Sequence, residues 1–100
     1  MMNYREKTKN GSDPGFEPSI TILLRIVKII SEKNVVGRTT LSLKAAMNYS
    51  KLTKYLDWLE KRSLIELVIL QGKINVRLTQ EGKDFALELK KLKSTVYQYY

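Results

Sequence analysis

Basic side chains are the groups in this sequence whose number and spacing could support a specific chemistry, namely the binding of a polyanion. The 100 residues include 18 lysines and arginines against 10 acidic residues, which gives a formal net charge of +8. Residues 1–17 hold three bases and three acids, so the whole excess lies in residues 18–100. A small domain with this charge is typical of nucleic-acid-binding proteins. The alternative is a lysine-rich surface that serves only solubility.

The absence of cysteine and histidine excludes several classes of function. It removes thiol catalysis, disulfide bonds, Cys/His zinc sites and imidazole acid–base chemistry. No glycine-rich phosphate loop is present, and Asp57 and Glu60 are better explained as surface ion-pair partners of Lys54 and Lys61. The sequence therefore predicts neither an enzyme nor a metal or cofactor site, and it indicates no small-molecule substrate.

No segment is apolar enough to predict a membrane span. The longest apolar run, residues 20–30, is interrupted by Thr21, Arg25 and Lys28. No charged segment followed by an apolar one opens the chain, so a secretion signal is not predicted. We expect a cytoplasmic protein that does not contact a membrane and that, if it binds DNA, associates with the nucleoid.

The length and the distribution of turn-forming residues predict one domain with a tail and an extension. Residues 1–17 lack apolar periodicity and carry a cluster of turn formers at residues 10–15, so we expect a flexible tail. Within it, Phe16 is expected to pack on the first helix. Residues 18–79 form the domain, and residues 80–100 form a C-terminal helix.

Apolar residues at helical spacing predict three helices in the first part of the domain. They cover residues 18–33, 40–47 and 51–62. Thr39 is expected to cap the second helix, and either Asn48 or Ser50 can cap the third. A short strand at Val35-Val36 separates the first two. The side chains expected in the core are Ile20, Leu23, Leu24, Val27, Ile30, Leu41, Ala45, Leu52, Leu56 and Leu59.

After Ser63 the apolar period changes from 3.6 to 2, which predicts a β-hairpin around a turn at residues 71–73. The last helix begins near residue 80. Its apolar residues follow a four-three spacing, and about 20 residues make a rod of roughly 30 Å, longer than the core can cover. We therefore expect a homodimer through this helix and a second apolar stripe on the first helix. The predicted interface comprises Ile22, Ile26, Ile29, Phe85, Leu89, Leu92, Val96 and Tyr99.

The order helix, short strand, helix, turn, helix, hairpin is that of a winged helix-turn-helix. The predicted fold class is α+β, mainly α, with three helices, a β-hairpin wing and a long C-terminal helix. In such a fold the third helix enters the DNA major groove, and the hairpin lies beside the groove on the backbone.

Several short stretches within residues 19–96 carry a more specific pattern. They are Arg38-Thr39-Thr40-Leu41, Lys44-Ala45, Met47-Asn48-Tyr49-Ser50, Leu52, Tyr55-Leu56-x-x-Leu59, Leu64-Ile65-Glu66 and Leu78-Thr79-x-x-Gly82-Lys83. Together they resemble the small archaeal winged-helix DNA-binding proteins of the chromatin-associated type. The resemblance implies that the long C-terminal helices pair antiparallel as a coiled-coil dimer. This sequence departs from the pattern in its 17-residue tail and in Ser63, where related sequences often have glycine.

The predicted DNA contacts lie on three elements. Lys51 and Lys54 on the third helix can reach phosphates or guanine edges, and the start of the second helix can bind phosphate through its amides. The wing adds basic residues near its tip. The predicted set is Arg38, Thr39, Thr40, Lys44, Tyr49, Ser50, Lys51, Lys54, Lys73 and Arg77.

Each of these residues also has a structural explanation. Ser50 could be a helix cap on a solvated face, Arg38 could pair with Glu32 or Asp57, and Tyr49 could pack into the core. The basic wing residues could instead protect an exposed hairpin edge. Trp58 is expected to be a half-buried packing residue rather than a platform for stacking bases.

Two classes of function follow from these observations. The first is a dimeric double-stranded DNA-binding protein that acts as a transcription regulator or as an architectural chromatin protein. The alternative is a winged-helix protein-interaction module whose basic face meets an acidic partner.

Overall fold

The computed structural model describes residues 15–98, with side chains as far as residue 95. The tail residues 1–14 and Tyr99 therefore lie outside the described part of the chain. The elements in chain order are α1 (Ile20–Lys33), β1 (Val36–Gly37), α2 (Arg38–Ala45), α3 (Tyr49–Lys61), β2 (Ile65–Leu70), β3 (Lys73–Leu78) and α4 (Gln80–Gln98). Over these residues the three strands form one antiparallel sheet in the order β1-β3-β2. This arrangement confirms the predicted α+β, mainly helical class.

The core lies among α1, α2, α3 and the base of the sheet. Its fully buried members are Ile26, Val27, Ile30, Leu41, Ala45, Leu52, Leu59 and Val76. On α1 the buried side chains are Leu23, Ile26, Val27 and Ile30. Ile20, which was predicted in the core, lies off this face and is 44% exposed. The assignment of Ile26 to a dimer interface is therefore corrected, because this side chain has 0% exposure within a single chain. Ile22 and Ile29 are half-buried beside the core.

The second helix begins earlier than the sequence predicts. Gly37 is its N-cap in an extended conformation, so Thr39 lies inside the helix and the prediction that Thr39 caps it is wrong. The helix ends at Ala46, a left-handed residue whose N–H donates to the Leu43 carbonyl at 3.2 Å. The N–H of Met47 donates to the Ser42 carbonyl at 3.1 Å, which completes a Schellman turn. This turn sends the chain directly into α3.

The third helix also begins earlier, at Tyr49, because Asn48 is its N-cap. The Oδ1 atom of Asn48 accepts from the Lys51 N–H at 2.7 Å. Ser50 therefore sits in the first turn as an exposed residue and does not cap the helix. The predicted buried face of α3 is confirmed, with Leu52, Leu56 and Leu59 in the core.

The wing is a regular two-stranded hairpin. Residues 65–70 pair with residues 73–78 without interruption, from Ile65 opposite Leu78 to Leu70 opposite Lys73. The turn consists of Gln71 and Gly72, both with positive φ, as a type I′ turn requires. The hairpin prediction is confirmed, but Lys73 belongs to the strand rather than to the turn.

A junction made by hydrogen bonds of Thr79 connects the end of α3, the base of the wing and the start of α4. Ser63 has φ 59°, and its carbonyl accepts from Thr79 Oγ1 at 2.7 Å. The same Oγ1 accepts from the Gly82 N–H at 2.9 Å, so Thr79 caps α4. The Thr79 N–H donates to the Leu64 carbonyl at 3.1 Å. The wing base and α4 are thereby fixed relative to α3.

The fourth helix packs on α1 and α3 near its beginning and leaves the core toward its end. Phe85 lies 6.1 Å from Trp58 between ring centroids, and Leu89 is buried in the core of the single chain. Leu89 is thus a core residue rather than a free interface residue, and Phe85 is half-buried. Leu92, by contrast, is 46% exposed.

Phe16 packs against the core and contacts α3. Its ring meets the Tyr55 ring edge-on with centroids 5.0 Å apart. The Tyr55 hydroxyl also accepts from the Ser19 N–H at 3.0 Å. The segment that enters α1 is therefore held against α3 by an aromatic contact and a hydrogen bond.

Candidate nucleic-acid interface

A long stretch of the helix-turn-helix unit carries no acidic residue. Between Glu32 and Asp57 the chain carries five bases and no acid: Lys33, Arg38, Lys44, Lys51 and Lys54. This stretch contains all of α2, the turn and the first half of α3. Four of these five bases lie on α2 and the beginning of α3, the two helices that a winged helix-turn-helix presents to DNA.

Lys51 and Lys54 extend from the exposed side of α3. The opposite side is anchored by Leu52, Tyr55 and Leu56, all buried, and this packing fixes the helix in rotation. In the part of the chain that the structure describes, the ion pair on α3 is Lys61 to Asp57 at 3.6 Å, near the other end of the helix. The two lysines are therefore exposed and not held by a carboxylate.

Arg38 and Tyr49 bring the beginnings of α2 and α3 together. The guanidinium carbon of Arg38 lies 5.9 Å from the centre of the Tyr49 ring, within the range of a cation–π contact. Tyr49 is 44% exposed, so it is not a core residue. Among the described residues Arg38 forms no ion pair with Glu32 or Asp57. The structure thus supports neither an ion pair as the role of Arg38 nor core packing as the role of Tyr49.

The first turn of α2 presents backbone amides and two exposed threonines. Gly37 provides no side-chain cap, so the amides of the first turn have no side-chain acceptor there. Thr39 and Thr40 are both exposed. This is the arrangement in which a helix start attracts phosphate. Lys44 is exposed near the other end of the same helix, about 9 Å from Arg38 along the axis.

The two basic residues of the wing differ in their surroundings. Lys73 is exposed next to the turn. Arg77 is held by Glu66, with Nε donating to Oε2 at 2.6 Å. Sequence reasoning missed Glu66, although a two-residue turn places residues 66 and 77 opposite each other.

A further arginine, Arg25, joins α1 to the end of α2. It donates from Nη1 to the Ala45 carbonyl at 3.0 Å and so satisfies a carbonyl group at the end of α2. Sequence reasoning noted Arg25 only as one of three polar residues that interrupt the apolar run of residues 20–30.

Trp58 is a packing residue, as predicted. It is half-buried, and the Arg62 guanidinium lies 3.9 Å from the centre of its ring. Arg62 Nη1 also donates to the Trp58 carbonyl at 3.1 Å. One face of the indole is thus covered by a cation of the same chain.

Two further features are absent from the described residues, a metal-ligand cluster and a membrane-spanning helix. These residues contain no group of three or more acidic side chains placed to hold a metal ion. A second search of the same residues, for a helix with the length and apolar character needed to cross a membrane, also found none.

Comparison with known proteins places this geometry in a family. The family model described as winged helix-turn-helix matches residues 18–96. The chain therefore belongs to the winged helix-turn-helix family. None of the curated proteins matches the sequence.

Solved structures with the same fold include two types of protein. Sso10a-2, a DNA-binding protein from Sulfolobus solfataricus, is 21% identical with a TM-score of 0.68, and the match covers 83% of this chain and 88% of that one. The MarR-family transcriptional regulator SPO1453 from Silicibacter pomeroyi is 21% identical with a TM-score of 0.64, covering 81% and 58%. Another MarR-family regulator from Silicibacter pomeroyi is 26% identical with a TM-score of 0.65, covering 87% and 56%. The chain thus spans little more than half the length of these MarR-family proteins.

Proposed function

We propose that this protein binds double-stranded DNA, with α3 in the major groove and the wing on the backbone. The observation that carries the proposal is the acid-free stretch between Glu32 and Asp57, which exposes its lysines on α2 and α3. A duplex is the polyanion that fits a positive surface formed by a helix and an adjacent hairpin.

The residues divide by the contact each can make. Lys51 and Lys54 reach phosphates or guanine edges, with Ser50 beside them at the leading end of α3. Arg38, oriented by Tyr49, binds a phosphate together with the first turn of α2. Lys44 and the exposed threonines of α2 extend the backbone contact, and Lys73 adds one from the wing. Arg77 contributes less than its charge suggests, because Glu66 neutralises it.

The protein acts as a homodimer through α4, in the antiparallel coiled coil that the sequence resemblance implies. Leu92 on this helix supports the proposal, because it is 46% exposed in the single chain. Val96 and Tyr99 follow it at the four-three spacing of the predicted interface. Ile22 and Ile29 line the edge of the adjacent α1, whereas Phe85 and Leu89 are largely used by the chain's own core.

Within the cell the dimer serves as a transcription regulator or as an architectural protein of the nucleoid, similar to the archaeal chromatin-associated type. The likeness to Sso10a-2 supports this range, since it covers most of both chains. Selection of bound fragments from random duplex DNA separates the two roles. A sharp palindromic motif indicates a regulator, and dense coverage without a motif indicates an architectural protein.

The salt dependence of DNA affinity tests the proposal. If each subunit neutralises about three to five phosphates, the logarithm of affinity falls against the logarithm of salt with a slope of about −5 to −9 for the dimer. A flat dependence, or no binding to duplex DNA, would contradict the proposal. Retained binding after Lys51→Glu and Lys54→Glu would instead favour an acidic protein as the partner of this face.

A further inference from the structure

The wing has an apolar face that continues past the core. Residues that pair across β2 and β3 share a face, and on one face the pairs are Ile65 with Leu78, Leu67 with Val76, and Ile69 with Ile74. The first pair is buried at the base of the hairpin, whereas Ile69 is 72%, Leu67 44% and Ile74 38% exposed. We call these three exposed side chains, Leu67, Ile69 and Ile74, the apolar wing face.

The strand that carries most of this face is an unprotected sheet edge. In the order β1-β3-β2, no strand of the described chain pairs with the outer side of β2. The six residues of β2 pair with β3 without a bulge, and they include no proline, glycine or lysine. Natural proteins usually interrupt such edges with charges, prolines or bulges, because an open edge pairs with another strand. The one charge on β2, Glu66, is bound by Arg77 of β3, so the edge carries no unpaired charge to oppose another strand. This indicates that the edge has a partner.

The charges of the wing indicate which partner it is. The opposite face of the hairpin carries all of the wing's charges, Lys73 and the Arg77–Glu66 ion pair, beside Asn75, Val68 and Leu70, so this face suits the DNA backbone better. The apolar wing face carries no charge and offers nothing to a phosphate. A second copy presents the same uncharged apolar surface, so the contact itself places no like charges against each other.

Self-pairing of β2 also preserves the faces. When two copies of β2 pair antiparallel with Val68 opposite Val68 of the second copy, Leu67 lies opposite Ile69 of that copy on the same side. The apolar wing faces of the two copies then adjoin, and the open backbone groups of both edges are satisfied. A two-fold axis perpendicular to the sheet relates the copies, as in an isologous contact.

We propose that neighbouring molecules on DNA pair through β2, so that binding to long DNA is cooperative. The proposal rests on the DNA binding proposed above and is separate from the α4 dimer. A stable interface uses about 20–30 residues of each partner, and the apolar wing face offers only three exposed side chains per copy. The contact therefore forms when DNA holds two copies at high local concentration.

The test compares binding to a short and a long duplex. The full chain is titrated against a duplex of about two helical turns, ~21 bp, and against one of about six turns, ~63 bp. The native protein is expected to bind the long duplex with a cooperativity factor of about tenfold or more. The double variant Leu67→Thr/Ile69→Thr keeps strand-forming residues, and its cooperativity is expected to fall to near one. Its affinity for the short duplex is expected to stay within about twofold.

Val68→Thr is the control for the apolar wing face alone, because Val68 lies at the centre of the proposed β2 pairing but points to the opposite face, and threonine keeps the strand able to pair. It is expected to remain cooperative. Non-cooperative binding by the native protein, or cooperativity retained in the double variant, would overturn the proposal. A loss of short-duplex affinity in the double variant would also overturn it and would assign the face to DNA. Failure of the native protein to bind the short duplex would refute DNA binding itself and the proposal with it.

Discussion

Arg77 and Glu66 bind each other across the wing, with the arginine Nε 2.6 Å from the carboxylate Oε2. They are directly opposite in the register of β2 and β3, and both side chains are about half exposed. The wing contains two basic residues, so this pair leaves Lys73 as the one with charge available for a phosphate. The electrostatic contribution of the wing thus depends on an acidic residue as much as on its bases.

Replacing Glu66 by glutamine is expected to raise DNA affinity about twofold to tenfold, because it frees Arg77 and removes a negative charge near the backbone. Binding titrations at fixed salt measure the change. In the double variant Glu66→Gln/Arg77→Ala the part of the gain due to Arg77 disappears, and a double-mutant cycle isolates it. Equal gains with and without Arg77 would show that the ion pair does not restrain this residue.

Tyr49 is expected to contribute to DNA binding by orienting Arg38. Tyr49→Phe keeps the ring and should retain affinity, whereas Tyr49→Leu should lower it about twofold to fivefold. The loss should be absent in an Arg38→Ala background, because the guanidinium that the ring orients is then missing. Duplex titrations in which the losses from Tyr49→Leu and Arg38→Ala simply add would contradict this role.

Gly82 is required by the junction between the wing base and α4. A Cβ atom at this position would lie 1.9 Å from the Leu64 carbonyl oxygen, and that carbonyl is backbone and bonded to the Thr79 N–H. Gly82→Ala is therefore expected to lower the free energy of unfolding by about 1–3 kcal/mol or more. Urea denaturation measures this change.

Gly37→Ala is the matched control for the junction. A Cβ atom there would meet Asn75 Oδ1 at 3.4 Å, an ordinary contact, so the cost should be only about 0.5–1 kcal/mol, the amount by which glycine is preferred to alanine at an N-cap. Similar losses for both variants would contradict the steric account.

Ser63 is expected to be replaceable by glycine with a gain in stability. Its φ of 59° is the left-handed conformation of a Schellman turn, with its N–H bonded to the Glu60 carbonyl and the Leu64 N–H bonded to the Leu59 carbonyl. Glycine removes a penalty of about 1–2 kcal/mol at such a position and costs about 0.5–1 kcal/mol in chain entropy. Ser63→Gly should thus raise the free energy of unfolding by up to about 1 kcal/mol, and Ser63→Ala should not. A loss on Ser63→Gly would show that the serine side chain stabilises the turn.

Element order, the hairpin and the buried face of α3 could be predicted from the sequence because each rests on local periodicity. The orientation of α1 could not, since Ile20, Ile22 and Ile26 are chemically alike and only the packing of α2 and α3 selects the buried one. The starts of α2 and α3 moved by two residues because Gly37 and Asn48, rather than later residues, took the cap positions.

Among the candidate site residues, exposure of Lys51 and Lys54 followed from the periodicity of α3. The Arg38–Tyr49 contact and the Arg77–Glu66 pair did not, because each joins two elements whose relative placement depends on the whole fold. The same applies to Leu89. Its four-three spacing predicted a dimer interface, whereas the fold of the single chain buries it in the core.

The salt dependence of duplex binding by a Lys51→Ala/Lys54→Ala variant tests the central claim most directly. Each lost phosphate contact should reduce the slope of log affinity against log salt by about 0.9, alongside a fall in affinity. The control variant Lys28→Ala/Lys90→Ala removes the same charge from exposed positions on α1 and α4 and should leave the slope nearly unchanged. A reduced slope in the first variant alone is the predicted result. Equal slopes in the two variants would show that the exposed side of α3 does not contact DNA.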